Sequence, residues 1–66
     1  MPETTRIESA RLVFAKVTGA LEDAAVAAAE GQASPNLSAA RQSCDCLIAQ
    51  LKSSLTRLQR LRRRLG

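Results

Sequence analysis

LSAARQSCDCLIAQLKSSLTRLQRLRRRL, residues 37–65, is the stretch that decides the fold. Nine of its positions form one row, Leu37, Ala40, Cys44, Leu47, Leu51, Ser54, Leu58, Leu61 and Leu65, apolar but for Ser54. The steps alternate three and four, which places them in one stripe along a helix. No Pro or Gly interrupts the run before Gly66. A second row of the same kind precedes it: Ile7, Ala10, Phe14, Val17, Leu21, Ala24 and Ala28. Between the rows lies GQASPN, residues 31–36, whose Gly, Ser, Pro and Asn break helices. Two helices joined by so short a loop lie antiparallel. The chain is therefore read as all-α, one helical hairpin over residues 1–66. Helix one spans about 5–30, the loop about 31–36 and helix two about 35–64.

The helix ends have their own signals. Thr5 followed by Glu8 fits a capping box, which starts helix one. Ala24, Ala25, Ala27, Ala28 and Ala29 favour helix, and Gly31 is a natural stop. Ser34 or Asn36 caps helix two, with Pro35 at the first helical position in the former case. Gly19 lies mid-helix at a cost of about 1 kcal/mol, either offset by a close backbone approach or simply tolerated as a weak spot. Folding the hairpin at residues 32–33 sets Ala28 near Leu37, Leu21 near Cys44, Phe14 near Leu51 and Ile7 near Leu58. Leu61 and Leu65 then project past the start of helix one, either loosely covered by residues 1–4 or, the favoured reading, left available to a partner.

Sixty-six residues make one small domain. At this size a single core rarely supplies more than about 3–5 kcal/mol. Here the stripes also hold small residues, so the hairpin is expected to gain stability from a homodimer or a protein partner. Val13 and Ala20 beside the first stripe, Leu12 and Val26 further round, and Ile48 and Leu55 on helix two are a surplus of apolar side chains. That surplus argues for a second contact surface. The residues expected to touch a partner are Leu12, Val13, Gly19, Val26, Ile48, Leu55, Leu61 and Leu65.

Composition narrows the chemistry. There is no His, Trp or Tyr, and one Phe. The commonest general base and metal ligand is thus missing, and so are aromatic platforms for single-stranded nucleic acid. No nucleophile–base pair and no Gly-rich phosphate loop is present. The expected protein is not an enzyme and takes no cofactor or metal. Cys44 and Cys46 are two apart, so on a helix they diverge by about 200° and cannot bridge or chelate together. Cys44 is expected in the core stripe and Cys46 outside. No apolar run approaches the about 20 residues of a membrane span, and Met1-Pro2-Glu3-Thr4-Thr5 is not the start of a signal peptide. A cytoplasmic protein is expected.

Charge is unevenly placed. Residues 1–33 carry three basic and five acidic side chains, net −2; residues 34–66 carry seven and one, net +6. Arg57, Arg60 and Arg64 share one face, flanked by Arg62 and Arg63. Such a face answers the helix dipole and could meet an acidic protein. It could also neutralise phosphates of a nucleic acid, the alternative function, or an anionic membrane surface.

The layout resembles the YscE-type co-chaperones of type III secretion systems. The matching features are the short capped start, the Ala20-Leu21 step, the Gly31-Gln32 turn, and Leu47 with Leu51 on the second stripe. The resemblance spans most of the chain and carries no signature residue. It implies an antiparallel hairpin that binds a second, repeat-type chaperone and keeps a secretion needle subunit monomeric before export. The arginine-rich end departs from that pattern. The hairpin is also similar in layout to small dimeric hairpins that bind RNA, with none of their motifs.

Overall fold

A computed structural model describes residues 2–66; Met1, which entered the reading of the N-terminus, lies outside the described residues. Two long helices make up the chain: α1 (Glu3–Gln32) and α2 (Leu37–Leu65). They pack side by side as an antiparallel hairpin. The described backbone contains no strand.

The helix ends differ from expectation in instructive ways. α1 starts two residues before Thr5, at Glu3, with Pro2 as cap and no side-chain capping bond. The Pro2 carbonyl accepts from the Arg6 N–H at 3.2 Å, so the first turn closes without the box that Thr5 and Glu8 would form. Glu3 in that turn suits the positive end of the dipole. Gly31 does not stop α1. The helix runs on to Gln32, and Gly66 is the only described residue with positive φ. The turn is closed by backbone bonds instead: Ala33 N–H to the Glu30 carbonyl at 3.0 Å and Ser34 N–H to the Gly31 carbonyl at 3.2 Å. The Ser34 hydroxyl donates to that same Gly31 carbonyl at 2.7 Å, which turns it away from α2. Asn36 is the cap of α2: its Oδ1 accepts from the Ala39 N–H at 2.8 Å. α2 accordingly starts at Leu37, after Pro35.

The seam is the larger correction. The buried residues are Ala10, Val17 and Ala24 on α1, with Ser54 and Leu61 on α2. Half-buried between them are Val13, Ala20, Ala27 and Gly31, facing Ala40, Ser43, Leu47, Gln50 and Leu58. The α1 stripe is thus 10, 13, 17, 20, 24, 27, 31. It shares three positions with the expected row but is rolled round by half a heptad step, about 50°. The α2 stripe is rolled by the same amount. Phe14, Leu21 and Leu51, expected in the core, are 51%, 48% and 49% exposed. Cys44, also expected there, is exposed like Cys46.

Small residues explain the roll. Ala10, Ala20, Ala24, Ala27 and Gly31 meeting Ala40, Ser43 and Ser54 let the two backbones approach closely. A Cβ placed on Gly31 would lie 3.4 Å from the Ser43 Cβ. Large side chains on both helices of one layer would hold them apart; the seam's leucines, Leu47 and Leu61, lie in layers with alanine. The consequence is a thin molecule. Its principal extents are 53 × 17 × 9 Å, and its radius of gyration is 15.6 Å. A compact chain of this length has a radius near 11 Å.

Candidate interaction surfaces

Helix geometry fixes where the displaced side chains go. On α1, Ile7, Phe14, Leu21 and Ala28 lie one step round from the seam; on α2 so do Leu37, Cys44, Leu51 and Leu65, with half-buried Leu58 at the seam's edge. In an antiparallel pair, the same rotational sense on both helices leads to the same side. Rolling both helices therefore brings both large-residue rows onto one broad face. Leu51 falls level with Leu21, Leu58 with Phe14, and Leu65 with Ile7. Ile48 and Leu55, each more than half exposed, extend this face along α2.

Of the residues expected to touch a partner, the structure groups only some. Ile48, Leu55 and Leu65 border the apolar face. Leu12 (67% exposed) and Val26 lie on α1 toward the opposite side of the hairpin. Val13 is half-buried within the seam. Gly19 is half-buried, but a Cβ there would meet nothing within 4 Å, so no close approach explains it. Leu61 does not project from the hairpin. It is 4% exposed, because the helices pair about seven residues further along α2 than expected, with Phe14 level with Leu58 and not Leu51, which sets Leu61 against the turn around Arg6 and Ala10. The Arg6 guanidinium fastens this end by donating to the Arg64 carbonyl at 2.8 Å. The residues that sequence reasoning assigned to the core, Phe14, Leu21 and Leu51, are the centre of the exposed apolar face.

A second surface occupies the other side of the hairpin at its terminal end. Arg57, Arg60, Arg63 and Arg64 line one shallow trough with Lys52, Ser53 and Thr56. The expected trio of Arg57, Arg60 and Arg64 is brought together, and Arg63 joins it. Arg62 does not: its guanidinium donates to the Gly66 carbonyl, and it borders a separate hollow with Leu58 and Gln59. All of these arginines are exposed.

Among the described residues, no three His, Cys, Asp or Glu side chains come close enough to hold a metal ion. No described helix is long and apolar enough to cross a membrane. No family model, no curated protein and no solved structure matches the chain.

Proposed function

We propose that the chain is a non-enzymatic interaction module, an adaptor or chaperone that works by burying the Phe14–Leu51 face against other helices. One observation carries this reading. Eight large apolar side chains on or beside that face, Ile7, Phe14, Leu21, Leu37, Ile48, Leu51, Leu55 and Leu65, are 40% or more exposed, whereas the buried core consists of Ala10, Val17, Ala24, Ser54 and Leu61. Water contact on a face that large is unfavourable by about 25 cal/mol per Å² of apolar surface. A helical partner that covers it removes that penalty. In the form implied by the YscE-type resemblance, the chain acts in the cytoplasm as a co-chaperone of a secretion needle subunit and its repeat-type chaperone.

The test is purification of the tagged chain from its native cells, alongside Phe14→Arg and Leu51→Arg variants. A stoichiometric helical protein, or a second copy of the chain, should accompany the unaltered sequence and be lost from both variants. Co-purification of nucleic acid alone would overturn the reading.

The basic trough favours a second reading, a regulatory protein that grips a polyanion such as nucleic acid. Four arginines and Lys52 in one concavity can neutralise several phosphates at once. Replacing Arg57, Arg60 and Arg64 by Ala should then abolish binding to a DNA or RNA duplex, and affinity should fall steeply with salt. Binding indifferent to both changes removes this reading.

A further inference from the structure

We propose that the apolar face is covered by a second copy of the chain, giving a two-fold four-helix bundle with the two loops at opposite ends. The proposal rests on the interaction-module reading and specifies its partner.

The first argument is area. The accessible surface is 5288 Å² at a mass of 7.1 kDa. A compact monomer of that mass exposes about 4,100 Å², so this chain shows roughly 1,200 Å² in excess. A standard interface takes about 800 Å² from each partner, and stable homodimers take more. The excess is what one more layer of the same kind would cover.

The second argument is shape. Along the face, layers stack from Ile7 with Leu65, through Phe14 with Leu58 and Leu21 with Leu51, to Ala28 with Cys44. A two-fold axis perpendicular to the helices, placed between the two central layers, sets Phe14 and Leu58 over Leu21 and Leu51 of the second copy. It also sets bulky Ile7 and Leu65 over small Ala28 and Cys44. Large meets small at both ends, as close packing requires.

The third argument is charge, and it selects the orientation. The terminal half of the hairpin, residues 1–17 and 54–66, carries eight basic and two acidic side chains, net +6. The loop half, residues 18–53, carries two basic and four acidic, net −2. Loops at opposite ends lay each positive end on a negative one. Loops at the same end would lay +6 on +6. The chosen arrangement leaves both basic troughs uncovered on the outer sides of the bundle.

The geometry gives a discriminating experiment. With loops at opposite ends, α2 lies along α2 of the second copy, and the two Leu55 side chains face each other beside the axis. With loops at the same end, the two α2 helices are diagonal, and Leu55 is out of disulfide reach. Cys44 behaves inversely. It is ten residues from the bundle's middle, so the two copies of Cys44 are about 30 Å apart in the proposed dimer and share one layer in the alternative.

Sedimentation equilibrium of the unaltered chain should show a dimer at micromolar concentration. Phe14→Arg should weaken it by about a hundredfold or more. Leu55→Cys in a Cys44→Ser, Cys46→Ser background should oxidise to a covalent dimer. A Cys46→Ser chain should not be joined through Cys44 by a short bis-maleimide. A dimer joined through Cys44, or one in which Leu55→Cys stays reduced, overturns the orientation. A monomer at tens of micromolar overturns self-pairing. If that monomer binds an apolar dye, and Phe14→Arg lowers the binding, the interaction-module reading survives; a monomer that binds none removes both.

Discussion

Leu61→Ala and Leu51→Ala separate the seam seen here from the one that residue size alone suggests. Leu61 is 4% exposed and Leu51 is 49% exposed. Truncating a buried leucine costs the transfer of its methyl groups plus the cavity left behind, about 2–5 kcal/mol. A core of this size supplies about 3–5 kcal/mol in total. Leu61→Ala should therefore leave much of the chain unfolded at room temperature. Half of the Leu51 side chain already faces water, so its loss should cost the lone hairpin only about 1 kcal/mol, half the value of full burial. That corresponds to a fall in Tm of about 4–8 °C. Urea titration followed by far-UV circular dichroism reads both, first at high dilution and then at high concentration. The Leu61→Ala cost should be present at every concentration. The Leu51→Ala cost should grow with concentration if, as proposed, a second copy covers that leucine and stabilises the folded state by mass action. Equal, large costs for both variants at high dilution would show that the large-residue stripe is the intramolecular seam after all, and the apolar face would vanish with it.

Gly19→Ala should stabilise the hairpin by about 1 kcal/mol, since the new Cβ meets nothing within 4 Å and helical backbone favours Ala; thermal unfolding checks it. Asn36→Ala should cost about 1 kcal/mol by removing the bond from the Ala39 N–H, while Ser34→Ala should leave the α2 start unchanged. Gln50→Leu should stabilise the chain by about 1–3 kcal/mol, because the Gln50 Oε1 is buried without a hydrogen-bond partner; denaturant midpoints read the gain. Cys44 and Cys46 should both react with a thiol reagent in the folded monomer, and Cys44 should slow as the protein is concentrated.

The hairpin itself was legible because it depends on signals that are local and redundant. Alternating steps of three and four mark the helices, and GQASPN marks the break. The roll of the helices was not legible in the same way. Ala10, Val17 and Ala24 belong to two heptad stripes at once, one completed by Phe14 and Leu21, the other by Val13 and Ala20. Spacing cannot choose between them. Ranking residues by hydrophobicity selects the first, and this holds where a core must be filled from several sides. A lone pair of helices has no third wall to fill, so contact distance governs the choice. The signal that could have found the seam was the clustering of small residues, Ala20, Ala24, Ala27 and Gly31 against Ala40, Ser43 and Ser54. Asn36 caps α2 as one of the two cap readings had it, and the Thr5 and Ser34 readings failed for a related reason. Thr5 and Ser34 have the right identity, but Pro2 with its fixed φ starts α1 earlier, and the Ser34 hydroxyl is engaged by Gly31.

The same roll links the fold to what the chain can do. If the leucines and Phe14 were in the seam, the outer surface would be largely polar and alanine-rich, and the hairpin would be closer to self-sufficient. Spending Ala, Gly and Ser on the internal contact leaves the strongest apolar side chains for an external one. The internal contact is then weak per residue, since an alanine methyl contributes far less than a leucine side chain. On the proposed reading, folding and association are coupled: the hairpin is marginal when alone and firm when covered. On that reading the hairpin responds to concentration or to a partner's arrival. The basic trough on the other side stays available in either state, because Arg57, Arg60, Arg63 and Arg64 point away from the face that association buries.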